Sequence, residues 1–141
     1  VLYNIEGKPD CSDVSIPFTD VKNKDYFADP VKWAYKNKIV MGKSETSFAP
    51  KDTLTREQFA TILYRYSAYK GRDTSAEADL TSFTDSSSVS KYARAAVSWA
   101  NAYGYITGTT ATEISPSGSA TRAQMATILI RYTDNPPPEV K

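Results

Sequence analysis

The chain has 141 residues with a net charge of +1, 40% hydrophobic and 23% charged residues. That is ordinary for a soluble domain able to build a core without staples, and it gives no electrostatic reason to expect nucleic acid or an anionic membrane as partner. There is no histidine and a single cysteine, Cys11, so the commonest general base, the commonest zinc ligand and any intrachain disulfide are excluded. No apolar run approaches the ~18 residues of a membrane span.

In chain order, Val1-Leu-Tyr-Asn-Ile5 reads as the last turns of a helix closed by Gly7 and Pro9, with residues 7–17 as connector. Phe18-Thr-Asp20 marks a turn. Asp29-Pro30 predicts a helix start, with Asp as N-cap and Pro at the first helical position, and the helix is expected over Pro30–Lys38. A polar loop punctuated by Gly42 and Pro50 follows. Thr55-Arg-Glu-Gln58 is a capping box, and Phe59, Ile62, Leu63 and Tyr66 recur behind it at helical spacing. Residues 67–82 are polar and read as a linker.

From Phe83 the pattern returns. Phe83-Thr-Asp85, a helix expected over Ser90–Tyr103 and closed by Gly104, a loop with Gly108 and Pro116, and a second capping box at Thr121-Arg-Ala-Gln124 follow one another. A shift of 66 residues lays Trp33 on Trp99, Gly42 on Gly108, Arg56 on Arg122 and Ala60-Thr-Ile-Leu63 on Ala126-Thr-Ile-Leu129. The chain thus divides into the tail of a preceding repeat with its connector (1–17), a repeat (18–66), a linker (67–82), a second repeat (83–132) and a Pro-rich tail (133–141). Each repeat is a helix–loop–helix unit whose apolar stripe needs a sister repeat to cover it. The expected fold is all-α, with tandem units packing around a shared helical core.

Phe-x-Asp, an aromatic-rich first helix, Gly, Phe-x-Pro and Thr-Arg-x-Gln opening an apolar helix resemble the S-layer homology family. In the first copy those residues are Phe18, Asp20, Val21, Trp33, Gly42, Phe48, Pro50, Thr55, Arg56, Gln58 and Phe59. In the second they are Phe83, Asp85, Trp99, Gly108, Pro116, Thr121, Arg122, Gln124 and Met125. The resemblance implies pseudo-threefold symmetry when three repeats are present. It also implies attachment of an exported protein to the bacterial cell surface, in the cell wall or S-layer. The implied ligand is an anionic secondary cell-wall polysaccharide, pyruvylated in many members, held in grooves between repeats. Gln58 and Gln124 depart from the family's usual acidic residue, and Ile114 replaces the loop phenylalanine in the second copy.

The candidate ligand-binding residues are Asp20, Trp33, Gly42, Arg56, Asp85, Trp99, Gly108 and Arg122. Arginine in a first helical turn opposes the helix dipole, so Arg56 and Arg122 call for another benefit. Either the guanidinium and the free helix-start amides bind a carboxylate, or the arginine bridges to a neighbouring repeat, for instance through Asp20 or Asp85, and one arginine can do both. The tryptophans are candidates for sugar stacking, with core packing the favoured alternative. The aspartates suit turn or cap roles as well as ligand contact. No cofactor, metal or catalytic group is expected, since nothing fixes two carboxylates at the spacing of a glycosidase. The alternative to a wall anchor is a protein–protein assembly module, and a truncated preceding repeat leads to an expectation of self-association.

Overall fold

A computed structural model describes residues 1–140; Lys141, the last residue of the expected tail, lies outside the described residues. The fold is helical, with no strand among the described residues. Its α-helices are α1 (Leu2–Ile5), α2 (Ala28–Lys36), α3 (Arg56–Tyr69), α4 (Arg94–Ala102) and α5 (Arg122–Asp134), with 3₁₀ turns at Ser86–Ser88 and Lys91–Ala93 between α3 and α4. The chain forms two compact units, Val1–Asp52 and Thr53–Lys141, so the structural boundary falls inside the first sequence repeat.

In the first unit the core is Phe18, Val21, Ala28 and Val31, flanked by Ile16, Phe27, Tyr35 and Phe48. Phe18 sets its ring edge-on to Tyr35 at 5.3 Å. α1 packs on α2, with Tyr3 tilted 6.1 Å from Trp33. The buried Cys11 thiol donates to the Pro9 carbonyl, and burial raises its pKa above the ordinary thiol value.

The expected Asp29 cap is corrected here. α2 begins at Ala28 behind Phe27, and no side chain caps it. The Asp25 carboxylate instead accepts the Lys22 amide, and Ala28 N–H donates to the Asp25 carbonyl, so an upstream turn runs directly into the helix. Asp29 stays in the first turn, where a negative charge suits the dipole.

The second unit is built around Trp99, which is fully buried. Tyr64, Tyr103 and Tyr105 surround its ring at centroid distances of 5.5, 5.9 and 5.5 Å, and its indole N–H donates to the Asp73 carbonyl. Tyr105 in turn meets Tyr132 at 5.4 Å and hydrogen-bonds the Asn135 carbonyl. The first helix of this repeat is shorter than expected because Lys91–Ala93 forms a 3₁₀ turn before α4. Gly104, at φ +75°, closes α4 in the left-handed conformation its sequence position predicts. Lys38 adopts φ +60° at the matching place in the first unit.

Both capping boxes form in full. Gln58 N–H donates to Thr55 Oγ1 and Thr55 N–H to Gln58 Oε1, and Thr121 and Gln124 do the same. The Pro-rich segment is not a free tail: Pro137 is buried, Asp73 N–H donates to the Pro138 carbonyl and Val140 N–H to the Gly71 carbonyl. The expected linker and the expected tail therefore meet, each supplying partners for backbone groups that the other would leave unpaired.

Replacing Trp99 with Ala removes the centre of the aromatic cluster and is expected to cost about 3–5 kcal/mol. Urea unfolding should show that loss in the transition of the second unit, with the first unit's transition unchanged.

Candidate functional site

The second unit joins α3, from the first repeat, to the whole of the second repeat. α3 packs against α4, and its start is stitched to the loop ahead of α5. Arg56 N–H donates to the Gly118 carbonyl and Glu57 N–H to the Pro116 carbonyl, at 2.9 and 3.0 Å. With Thr55 and Gln58 capping each other, every helix-start amide is satisfied, so α3 offers no free amide to a carboxylate. Ala120 N–H donates back to the Leu54 carbonyl, and an antiparallel bridge pairs Thr55 with Ser119.

The Arg56 side chain is 7% exposed. Its Nε donates to the Ile114 carbonyl at 3.0 Å and its Nη2 to the Thr107 carbonyl at 2.7 Å. Neither expected partner of this arginine is the one found: it bridges to the neighbouring repeat, as one reading required, but through carbonyl oxygens instead of a carboxylate. Asp85 is committed elsewhere, accepting the Ile114 and Ser115 amides at 2.9 and 2.8 Å. Asp20 does the same work in the first unit, accepting from Phe48 N, Ala49 N and the Ser47 hydroxyl. These bonds hold both carboxyls below the ordinary aspartate pKa.

A cleft of about 310 Å³ opens beside Arg56, at the low end of the range for ligand pockets. Arg56, Thr107, Gly108, Gln124, Thr127 and Arg131 give it its polar character, over a base that includes Tyr105 and Ile128. Among the described residues, no carboxylate lines it. Arg131 donates from Nη1 to the Tyr105 carbonyl at 3.3 Å and remains exposed. Burial lowers the Arg56 pKa, and repulsion from Arg131 lowers it further.

Of the eight residues expected from the sequence, the structure brings Arg56 and Gly108 to this cleft. Trp33 and Trp99 are core residues, 3% and 0% exposed, with no face open for a sugar. Asp20 and Asp85 are loop clamps. Gly42 and Gly108 are places where a side chain does not fit: a Cβ on Gly42 would lie 2.3 Å from the Phe18 ring, and one on Gly108 would lie 2.3 Å from the Thr110 carbonyl. Arg122 is exposed at the start of α5, outside the cleft lining.

Arg131, Thr107 and Thr127 were not among the expected residues. Arg131 was visible in the sequence only as the repeat of Arg65. Glu57 was also missed. It is buried, and its carboxylate accepts the Ser90 amide at 2.8 Å and the Ser90 hydroxyl at 2.6 Å, fixing the entry to the second repeat's first helix.

Arg56→Ala is expected to destabilise the second unit by about 3 kcal/mol, because the buried Ile114 carbonyl and the part-buried Thr107 carbonyl lose a charged donor. Arg56→Lys should recover only part of this, since an ammonium lacks the fork that spans both carbonyls; denaturant titration of the three proteins measures it. The Asp85 pKa is depressed on folding, so its contribution is complete above the unfolded value of about 4 and fades as pH falls through the folded value. The stability gap between wild type and Asp85→Asn, followed by thermal unfolding, should therefore narrow as the pH is lowered below about 4.

Residues 17–60 and 82–126 match the S-layer homology domain. Similar proteins include exoglucanase XynX of Acetivibrio thermocellus, 36% identical over 79% of this chain and 10% of its own length. Amylopullulanase of Thermoanaerobacterium thermosulfurigenes is 34% identical over 79% of this chain and 6% of its own length. The surface-layer 125 kDa protein of Lysinibacillus sphaericus is 33% identical over 85% of this chain and 10% of its own length. The chain thus spans about a tenth or less of these relatives. No solved structure matches it significantly. With the family's pattern matched in both repeats and a helical fold in which one repeat's second helix is seated in the next repeat's loop, the chain belongs to the S-layer homology domain family.

Proposed function

We propose that this chain is a non-catalytic module that holds an exported protein at the bacterial cell surface by binding an anionic cell-wall polysaccharide in the Arg56–Arg131 cleft. The observation that carries the reading is the cleft's lining: two guanidiniums, Arg56 and Arg131, whose mutual repulsion lowers the Arg56 pKa, and, among the described residues, no carboxylate. An anion placed between them relieves that repulsion and gains charge-assisted hydrogen bonds. Arg56 spends two of its five N–H donors on carbonyls, leaving others for a ligand. Thr107, Thr127 and Gln124 add groups suited to sugar hydroxyls, and a carboxylate such as that of a pyruvate ketal fits the planar arginine fork. Family membership supports the same reading, as do relatives that include glycan-degrading enzymes and a surface-layer protein.

Co-sedimentation with purified Gram-positive walls, intact and stripped of secondary polysaccharide, tests this. Binding should disappear with stripping, fall with added salt, and weaken roughly tenfold in Arg131→Ala, with Lys43→Ala in the first unit as a control. Undiminished binding to stripped walls would remove the polysaccharide from the proposal. Undiminished binding by Arg131→Ala would move the site out of this cleft.

A further inference from the structure

The cleft beside Arg56 has two walls drawn from different segments. One is the loop beginning at Tyr105, whose Thr107 carbonyl receives the Arg56 guanidinium. The other is a face of α5 on which Gln124, Thr127, Ile128 and Arg131 follow one another at helical spacing. Arg131 stands in the last turn of that helix, so the place of its guanidinium depends on what holds the helix end.

Tyr105 holds that end twice. Its backbone carbonyl accepts from Arg131 Nη1 at 3.3 Å, and its hydroxyl donates to the carbonyl of Asn135, the residue that closes α5. Asn135 N–H returns to the Arg131 carbonyl at 3.1 Å, so Tyr105, Arg131 and Asn135 form a closed ring of hydrogen bonds. Burial raises the Tyr105 pKa, which keeps the phenol a donor. The Tyr105 ring is fixed among Trp99, Tyr103 and Tyr132, and the Tyr132 and Ser67 hydroxyls bond at 2.9 Å.

Asn135 is also placed from outside this ring. Directly after it come Pro136, Pro137 and Pro138, whose φ angles are fixed, and they lead straight into the pairing with Gly71–Asp73. There Arg72 Nη1 donates to the Pro137 carbonyl at 3.1 Å, Asp73 N–H to Pro138 at 2.8 Å and Val140 N–H to Gly71 at 2.9 Å. A stiff triplet gives little slack, so where this pairing sits decides where Asn135 sits. A surface segment tied mainly by backbone hydrogen bonds opens more readily than the aromatic cluster behind it.

We propose that the pairing of residues 71–73 with 138–140 is a latch on the cleft: seated, it holds Asn135 and Tyr105 so that Arg131 faces Arg56 across the opening, and unseated, it frees Arg131 and lowers the affinity for an anionic ligand while the helices stay folded. This rests on the reading of the cleft as an anion site. By linkage, an anion held between the two arginines in turn favours the seated latch. Tyr105 and Asn135 are positioning residues in this scheme, acting on the ligand through Arg131.

The test uses Arg72→Ala and Val140→Pro, two latch changes outside the cleft lining; Val140 is 66% exposed, and proline there removes the N–H that reaches Gly71. A third protein carries Arg72→Cys with Glu139→Cys, since these residues face each other in an antiparallel bridge flanked by the Gly71 and Asp73 hydrogen bonds, a spacing that suits a disulfide. Co-sedimentation with intact Gram-positive walls is measured well below each protein's unfolding temperature, beside amide hydrogen exchange of the free proteins. Arg72→Ala and Val140→Pro should bind walls about fivefold or more weakly than wild type. Exchange at Tyr132–Asn135 should quicken in both, with α3 unchanged. The double-cysteine protein should bind as wild type when oxidised and as Arg72→Ala when reduced. Folded variants that bind walls as tightly as wild type would reduce the pairing to a purely structural role and overturn the latch, as would unchanged exchange at the end of α5. A wild-type chain that does not bind walls at all would instead count against the anion reading, and exchange would then decide the latch alone.

Discussion

The second unit depends on one residue being held from both sides. Asp85 takes the N–H of Ile114, and Arg56, from the preceding repeat, takes its carbonyl. The first bond folds the loop; the second commits the folded loop to α3. Around them the backbone of Thr55–Glu57 pairs with Pro116, Gly118 and Ser119, so the start of α3 is finished by chain that lies more than fifty residues downstream. A buried guanidinium with carbonyl partners keeps its charge without a buried carboxylate to desolvate beside it. That leaves the charge available to the cleft.

This explains why the compact units do not follow the sequence repeat. The repeat's natural beginning, read from Phe18 or Phe83, is where a turn aspartate organises its own loop. Its packing partner for the second helix, however, is the following copy's first helix and loop. Nearest-neighbour dependence of this kind is what repeat architectures trade in. Here it is carried by directional hydrogen bonds as well as apolar area, which makes the register between copies specific.

Much of this was legible in the sequence, and the part that was not has a physical reason. The capping boxes, Gly104 and the helical stripes are local: each is decided by a few adjacent residues, and they appear where those residues place them. The carbonyl partners of Arg56 are not local, and carbonyls carry no sequence signature, so no reading of side chains would find Thr107 or Ile114. Trp99 looked the same whether destined for a core or a sugar face until Tyr64, Tyr103 and Tyr105 were seen to enclose it. Asp29-Pro30 misled because Asp25 takes the upstream turn. Glu57 carried no signal of its own inside the capping box, because its partner Ser90, ahead of the 3₁₀ turn that leads into α4, lies in the next repeat.

The pairing of Gly71–Asp73 with Pro138–Val140 has a mechanical consequence. A pull delivered at Val140 does not act first on the last turn of α5. It meets the Val140–Gly71 and Asp73–Pro138 hydrogen bonds, and behind them the Arg72 guanidinium on the Pro137 carbonyl. Asp73 also receives the Trp99 indole N–H, so the tension is passed into the most deeply packed side chain of the unit. The short clasp acts as a strain relief, spreading a load along the chain between two segments before any helix has to unwind.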